Sequence, residues 1–211
     1  MTDIRTAVTG ERADLAVLLD ELLAADWDEP TLCEGWRVRE LVAHIVMPYR
    51  LSRAGFLLGM ARAGGRFNRF ADRHARSEAA ALSAAELTET LRQNADNPWK
   101  PPGGGDQGAL SHDVIHGLDL TVALGLDRRV PLERLRFILD DMDPRGVKYF
   151  GVDLTGIQLR ATDLDWTYGA GEPLTGTAQD LLLVISGRRL PAGYLTGRDA
   201  PRFTAGGRAT R

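Results

Sequence analysis

The spacing of apolar residues predicts most of the helices in this chain. Leucines recur at intervals of three and four residues before Pro30, and a second stretch with this period runs from Val38 to about Met60. Pro48 lies inside the second stretch and has no N–H to bond the carbonyl of His44, so we expect the helix to kink or divide there. The beginning of the chain therefore predicts two helices, the second of them disturbed close to a histidine.

Capping residues predict a third and a fourth helix. Ser83 and Glu86 form a capping box before the third, and Gly125 follows the last turn of a fourth that begins near Gly108. Residues 61–77 lie between the second and third helices and combine five arginines with a Gly-Gly pair. They are typical of a mobile crossover or a ragged helix, and we predict no fixed structure for them.

The pattern changes in the last third of the chain. Pro131 suits the first turn of a fifth helix. From about Val147, apolar and polar residues alternate around a Gly-rich turn, which predicts two or three short strands. Thr177 can then cap a last helix, and the Gly- and Arg-rich tail after Pro201 is expected to be loose.

Composition excludes several classes of protein. The chain has 211 residues, 44% of them hydrophobic, which is enough apolar material to bury a core. The 26 Lys and Arg against 29 Asp and Glu give a net charge of −3, so there is no basic field to hold a nucleic acid. The single cysteine, Cys33, cannot form an intrachain disulfide, and no apolar run suits a signal peptide or a membrane span. We expect a cytoplasmic protein with neither nucleic acid nor membrane as a partner.

The candidate chemistry of the chain rests on its histidines. His112 and His116 lie four residues apart in the fourth helix, so their side chains share one face. A catalytic zinc site commonly has three protein ligands and an open position, and His44, at the border of the apolar face of the second helix, is the natural third ligand. Asp119, one turn beyond His116, could ligate directly, but we prefer a role in holding the second ring nitrogen of a histidine.

Other polar and reactive residues have simpler interpretations. His74, in the arginine-rich segment, is interpreted as a solvated surface residue. Cys33 is more typical of a small buried residue than of a nucleophile, and Trp36 and Trp166 of core residues. The arginines of residues 61–77 indicate a solvated face, with an acidic small substrate at the mouth of the site as the alternative.

Two motifs resemble the mycothiol-dependent maleylpyruvate isomerase family of the DinB-like superfamily. TLCEGWRVRELVAHIV, at residues 31–46, is similar to the PxxCEGWxVxDLxAHL-type signature of that family. HDVIHGLDLTVALG, at residues 112–125, resembles its Glu/His-x-x-x-His-x-x-Asp segment. Residues 161–188 are similar to its small C-terminal domain, so the resemblance spans about residues 8–197.

The resemblance implies a fold, a metal centre and a thiol chemistry. The implied fold is mainly α, with a DinB-like four-helix bundle over residues 1–145 and a small α+β C-terminal domain over residues 146–211. The implied ligands of a divalent metal, usually taken as zinc, are His44, His112 and His116, where the isomerase itself has a glutamate in place of His112. In that family the metal activates the thiol of mycothiol, and the products are isomerised or thiol-conjugated small molecules.

The sequence thus leads to one main hypothesis and two rivals. The main hypothesis is a metal- and mycothiol-dependent thiol transferase or isomerase acting on a small electrophile, as a monomer or homodimer. Its nucleophile is the thiol of the cosubstrate rather than Cys33, and the sequence assigns no residue to binding that thiol. The first rival is a noncatalytic bundle that carries or senses a small molecule or lipid. The second is a bundle whose histidines satisfy one another in the core.

Overall fold

The computed structural model describes residues 3–142 and 144–205, and the chain divides into two compact units between Leu126 and Asp127. In the first unit the helices are α1 (Ile4–Asp20), α2 (Val38–Arg50), α3 (Arg53–Arg62), α4 (Phe67–Ala81), α5 (Ala84–Gln93) and α6 (Gly105–Ala123). In the second unit the elements are α7 (Leu132–Leu139), α8 (Pro144–Phe150), β1 (Ile157–Ala161), β2 (Thr167–Gly169), β3 (Glu172–Gly176) and α9 (Ala178–Ile185). Among the described residues, no helix has the length and apolar character needed to cross a bilayer.

Four helices of the first unit form a bundle. Helices α1 and α2 each pack against both α5 and α6, and α4 packs along α2. With α4 beside it, α2 is buried from Val38 to Met47 apart from Arg39. The core is filled by the residues that carry the apolar period of the sequence: Leu15, Leu19, Val38, Leu41, Val42, Ile45, Leu87, Leu91 and Leu120.

The proline divides the second predicted helix, as expected from its missing N–H. Helix α2 runs past Pro48 but ends at Arg50, and α3 begins after Ser52, whose hydroxyl accepts the N–H of Gly55 at 3.0 Å. The predicted break is therefore confirmed, and it separates the helix that carries His44 from the exposed helix α3.

The prediction of no fixed structure for residues 61–77 is wrong, because most of them belong to α4. The buried seam of this helix consists of Phe70, Ala71, Ala75 and Ala79. Three of these four residues are alanines, which produce a weak hydrophobic period in a sequence but allow close packing against α2. The arginines of the same helix lie on its exposed side.

The caps of the next two helices are confirmed. The Ser83 hydroxyl accepts the N–H of Glu86, and the Glu86 carboxylate accepts the N–H of Ser83 at 2.8 Å, which is the predicted capping box of α5. Gly125, just after α6, has a φ of +68°, a left-handed conformation that favours glycine. Helix α6 is thereby fixed at its C-terminal end.

The second unit is built on a small mixed sheet. Strand β1 lies between β2, to which it is antiparallel, and β3, to which it is parallel, so Leu159 pairs with Tyr168 and Leu174. Helix α9 packs against this sheet and begins at the capping pair of Thr177 and Asp180. The predicted short strands and the predicted last helix are both present.

The division between the two units falls earlier than residue 145, the end of the bundle domain implied by the resemblance. Helix α7 packs against α9, and Trp166 Nε1 donates to the carbonyl of Leu139 at 3.1 Å. These contacts place α7 in the second unit. Near the other end of this unit Phe203 is buried and its carbonyl accepts the N–H of Leu190, so the predicted loose tail is packed at its beginning. The rest of that prediction, residues 206–211, lies outside the described residues.

Candidate metal centre

Three histidines from two helices of the first unit meet at one point. Helix α2 supplies His44, and α6 supplies His112 and His116, which share a face because they lie one turn apart. The ring centroids are 5.3 Å apart for His44 and His112, 5.0 Å for His44 and His116, and 4.8 Å for the pair on α6. One ring nitrogen from each histidine lies within 4.8 Å of the others, so a single metal ion could be held by all three.

His44 is the most deeply buried of the three. It is 8% exposed, and its Nδ1 has no hydrogen-bond partner among the described residues. Burial lowers the pKa of His44 well below its ordinary value, and the nearby His116 and His112 lower it further. A neutral imidazole is the form that binds a metal, and a buried unpartnered nitrogen is costly unless something satisfies it. The residues present therefore fit a metal ion.

Buried carboxylates orient the two histidines of α6. His116 Nδ1 lies 3.0 Å from Asp119 Oδ2, and His112 Nδ1 lies 2.9 Å from Asp113 Oδ1. Both aspartate side chains are completely buried, whereas the histidines remain 14% and 16% exposed. Because an ionised carboxylate only accepts hydrogen bonds, each ring donates through Nδ1 and keeps the lone pair of Nε2 for a ligand.

Cys33 lies beside this arrangement and is packed, partly buried, against the apolar core of the bundle. Its Sγ donates to Asp119 Oδ2 at 3.0 Å and lies 3.8 Å from His116 Nδ1, and the residue is half-buried. The packing of Cys33 agrees with its interpretation as a small buried residue, but its thiol also donates a hydrogen bond that the sequence did not predict. Oδ2 of Asp119 therefore accepts hydrogen bonds from both Cys33 and His116. These two bonds tie the loop before α2 to α6.

Two tryptophans flank the histidines. The ring of Trp36 lies 5.0 Å from that of His44, and the ring of Trp99 lies 5.4 Å from that of His112. Trp36 Nε1 donates to Asp72 Oδ1 on α4 at 2.9 Å. Trp36, which the sequence assigned to the core, therefore lies at the edge of the candidate site and is only partly buried.

The fourth histidine and the arginines of α4 occupy the neighbouring surface. His74 is half-buried, with its ring 5.9 Å from that of Phe70, so its interpretation as a solvated residue is wrong; burial lowers its pKa. The arginines at positions 62, 66, 69, 73 and 76 are exposed, as predicted. Among them, Arg76 donates to the carbonyl of Gly35 at 2.9 Å and so fixes the loop between Cys33 and Trp36.

Asp113 is a residue of the site that the sequence alone does not single out. This residue follows His112 directly in the chain, and adjacent residues of a helix point in directions about 100° apart. An acidic residue next to a candidate ligand was the available signal, but that pattern is also typical of an exposed helix surface. Only the packing of α1 against α6 makes Asp113 a buried residue.

The comparisons with known proteins agree with the resemblance. Residues 8–98 match the family model of the mycothiol maleylpyruvate isomerase N-terminal domain. The matched segment contains Cys33 and His44, while His112 and His116 lie beyond it. The chain is also 27% identical, over 237 aligned positions, to uncharacterized proteins from two strains of Mycobacterium tuberculosis, covering 92% of this chain and 89% of theirs. The predicted resemblance to this isomerase family is thus confirmed.

A solved structure has a similar fold. The crystal structure of the mycothiol-dependent maleylpyruvate isomerase superposes with a TM-score of 0.52 at 16% sequence identity, covering 95% of this chain and 97% of that one. At this identity the likeness concerns the fold. The mainly α architecture, a helical bundle followed by a small α+β unit, is therefore confirmed.

Proposed function

We propose that this protein is a metal-dependent enzyme that uses mycothiol to conjugate or isomerise a small electrophilic molecule. The observation that carries the proposal is the convergence of His44, His112 and His116, with two of the three rings oriented by buried carboxylates. Neutral nitrogen ligands held in this way are the ligand set of a catalytic zinc site with an open position. The choice of mycothiol rests on the family match of residues 8–98.

The roles of the residues follow from their contacts. His44, His112 and His116 would hold the ion, and Asp119 and Asp113 fix which nitrogen of each α6 ring is available. A bound divalent ion would supply Lewis acidity, which lowers the pKa of a coordinating thiol. The rings of Trp36 and Trp99 cover two of the imidazoles, which reduces the access of water to them.

The charge of the site suits thiol chemistry. According to the resemblance, His112 stands where the isomerase has a glutamate, so the three proposed ligands here are all neutral. The ion would therefore keep one more unit of positive charge than it has with a glutamate ligand, and a more positive centre stabilises a thiolate more strongly. Cys33 has no part as nucleophile in this proposal, because its thiol is engaged with Asp119.

The first test is the metal content of the purified protein and of histidine variants after thorough buffer exchange. We expect close to one equivalent of a divalent metal in the wild type and its loss in the His116→Ala variant. His74→Ala is the matched control, since it removes a half-buried histidine that is not one of the three converging residues. Retention of the full metal content by His116→Ala would contradict the proposed ligand set.

The second test is activity. The wild-type protein loaded with zinc should accelerate the consumption of mycothiol by small electrophiles or the isomerisation of an electrophilic double bond, and His116→Ala should not. A wild-type protein that binds no metal but retains lipids from the expression host would instead support the noncatalytic carrier. No acceleration with any electrophile, despite a full complement of metal, would contradict the enzyme function while leaving the metal site in place.

A further inference from the structure

A completely buried ion pair joins α1 to α6 directly behind the candidate metal centre. Arg12 Nε lies 2.7 Å from Asp113 Oδ2, and both side chains have no exposed surface. The guanidinium also lies over the ring of Tyr49, 5.4 Å from its centroid. Burying two charges costs a large desolvation energy, and a buried pair is often no more stabilising than apolar residues of the same volume. Stability alone is therefore a weak reason for this pair.

The pair is connected to His112 through the second oxygen of the same carboxylate. Asp113 Oδ2 accepts from Arg12, while Asp113 Oδ1 lies 2.9 Å from His112 Nδ1. A hydrogen bond from a guanidinium to one oxygen restricts the rotation of the carboxylate, so it limits the direction from which the other oxygen accepts the hydrogen bond of the ring. The orientation of His112 thus depends on a residue of α1 that does not touch it.

Arg12 also supports the other side of His112. Its Nη1 donates to the carbonyl of Asn97 at 2.7 Å and lies 3.4 Å from that of Ala95. These carbonyls belong to the turn just before Trp99, whose ring lies against His112. The guanidinium of Arg12 therefore holds two structures that contact His112. One is the carboxylate of Asp113, and the other is the turn before Trp99.

We propose that Arg12 is a positioning residue of the metal centre, which sets the tautomer and orientation of His112 through Asp113. The expected effect of Arg12 on metal affinity rests on the proposed function, because it requires His112 to be a ligand. The expected effect on the His112 ring does not rest on it, because Asp113 selects the Nδ1–H tautomer whether or not a metal is bound.

The chain offers a closely matched control. Arg5, also on α1, pairs with Asp106 of α6 at 3.3 Å and donates to the carbonyl of Asp96 at 3.0 Å. This second pair joins the same two helices and the same turn, but it is partly exposed, and among the described residues neither side chain pairs with a histidine. Replacing it tests the loss of an interhelical ion pair without loss of the His112 contact.

The experiment compares the double variant Arg12→Met/Asp113→Leu with Arg12→Lys, which keeps Asp113 and the buried positive charge but loses the guanidinium fork, and with the control Arg5→Met/Asp106→Leu. The double replacement avoids the single buried charge that could prevent either single variant from folding. Zinc affinity is measured by competition with a chelator, and the tautomer of His112 in the metal-free protein is read from its ring ¹⁵N resonances. We expect a 10- to 100-fold loss of zinc affinity and a shift of His112 to the Nε2–H tautomer in the first double variant, and neither change in the control. Arg12→Lys should lose zinc affinity to a smaller extent and keep the Nδ1–H tautomer, because Asp113 is still present.

Three results would overturn the proposal: wild-type zinc affinity in Arg12→Lys, zinc affinity of the first double variant within about threefold of the wild type, or a His112 ring that keeps its Nδ1–H tautomer in that double variant. Equal losses in both double variants would also overturn it, because they would indicate a general effect of loosening α1 from α6. A wild-type protein that binds no zinc would refute the proposed function instead. In that case the ring ¹⁵N resonances of His112 in the double variant and in Arg12→Lys decide the proposal, which fails if both match those of the wild type.

Discussion

At His44, burial that favours metal binding also makes the metal-free protein sensitive to acid. Burial is the main cause of its lowered pKa, with smaller contributions from His116 and His112. An unfolded chain returns the pKa of this imidazole to about 6.5. Below that pH the unfolded state binds a proton that the folded state resists, so the folded state becomes relatively less stable.

We therefore predict that the free energy of unfolding of the metal-free protein is constant above about pH 6.5 and falls as the pH drops toward 5. One such proton corresponds to a slope of up to about 1.4 kcal/mol per pH unit. The His44→Gln variant should lose much of this slope in denaturant titrations at several pH values. His74→Gln should lose less, because His74 is only half-buried. Identical slopes for the wild type and His44→Gln would contradict the assignment.

Residues of the site differ in how far the sequence could predict them. His112 and His116 share a face by helical spacing alone, and the position of His44 at the border of the apolar face of its helix made it the third candidate, which the resemblance then also implied. The contact of Asp119 with His116 also follows from a spacing of three along one helix. Arg12 and Asp113 could not be paired in advance, because they lie 101 positions apart in sequence and meet only where α1 packs against α6.

Among the elements, α3 and α4 show why the pattern of hydrophobic residues was insufficient. The predictions for α5 and α6 rested on capping residues, which act locally and can be seen in the sequence. In contrast, the packing surface of α4 consists mostly of alanines, and α3 has no buried residues at all. The contact between these two helices depends on Gly59, which lies against Phe70. Because glycine has no side chain, the pattern of hydrophobic residues does not reveal this contact.

The close approach of α3 and α4 at Gly59 predicts that a larger residue there destabilises the protein. A Cβ at Gly59 would lie 2.3 Å from Phe70 Cε2 and 2.6 Å from its Cδ2, so an alanine there must displace a buried ring or separate the helices. We expect Gly59→Ala to lower the free energy of unfolding by about 1–2 kcal/mol, even though alanine is the better helix former. Chemical denaturation measures the difference.

Gly55→Ala, in the same helix, is the control. A Cβ at position 55 would meet Leu51 Cδ1, the end of a flexible side chain, and the capping Ser52 Oγ, each at 3.2 Å, which is much less severe than the contacts at Gly59. The higher helix propensity of alanine should then make this variant as stable as the wild type or up to about 1 kcal/mol more stable. Equal destabilisation of both variants would show that Phe70 is not the cause.

For the molecule as a whole, the sequence predicted the order of elements better than the boundary between the units. The last helix of the implied bundle domain, α7, has the apolar period and the initial proline of a bundle helix. Its partner can be identified only from the structure, where Trp166 donates to its C-terminal carbonyl and α9 packs against it. A helix with one apolar face fits either unit equally well on sequence grounds.

The stability of the whole protein should report whether its histidines bind a metal or only one another. A ligand that binds the folded state alone at 100 times its dissociation constant adds about 2.7 kcal/mol to the free energy of unfolding. For a chain of this size that corresponds to a rise of roughly 5–11 °C in melting temperature. We predict this rise when zinc is added to the metal-free wild-type protein, and its reversal by a chelator.

The His116→Ala variant provides the comparison that separates the two explanations. All three proposed ligands lie before Leu126, so in calorimetry the zinc-dependent shift belongs to the transition of the first compact unit. Removing one ligand should abolish that shift, whereas His74→Ala should retain it. If zinc and chelator leave the melting temperature of the wild type unchanged, the histidines satisfy one another without a metal. The buried Nδ1 of His44 would then need another partner, such as an ordered water, which a crystal structure would reveal.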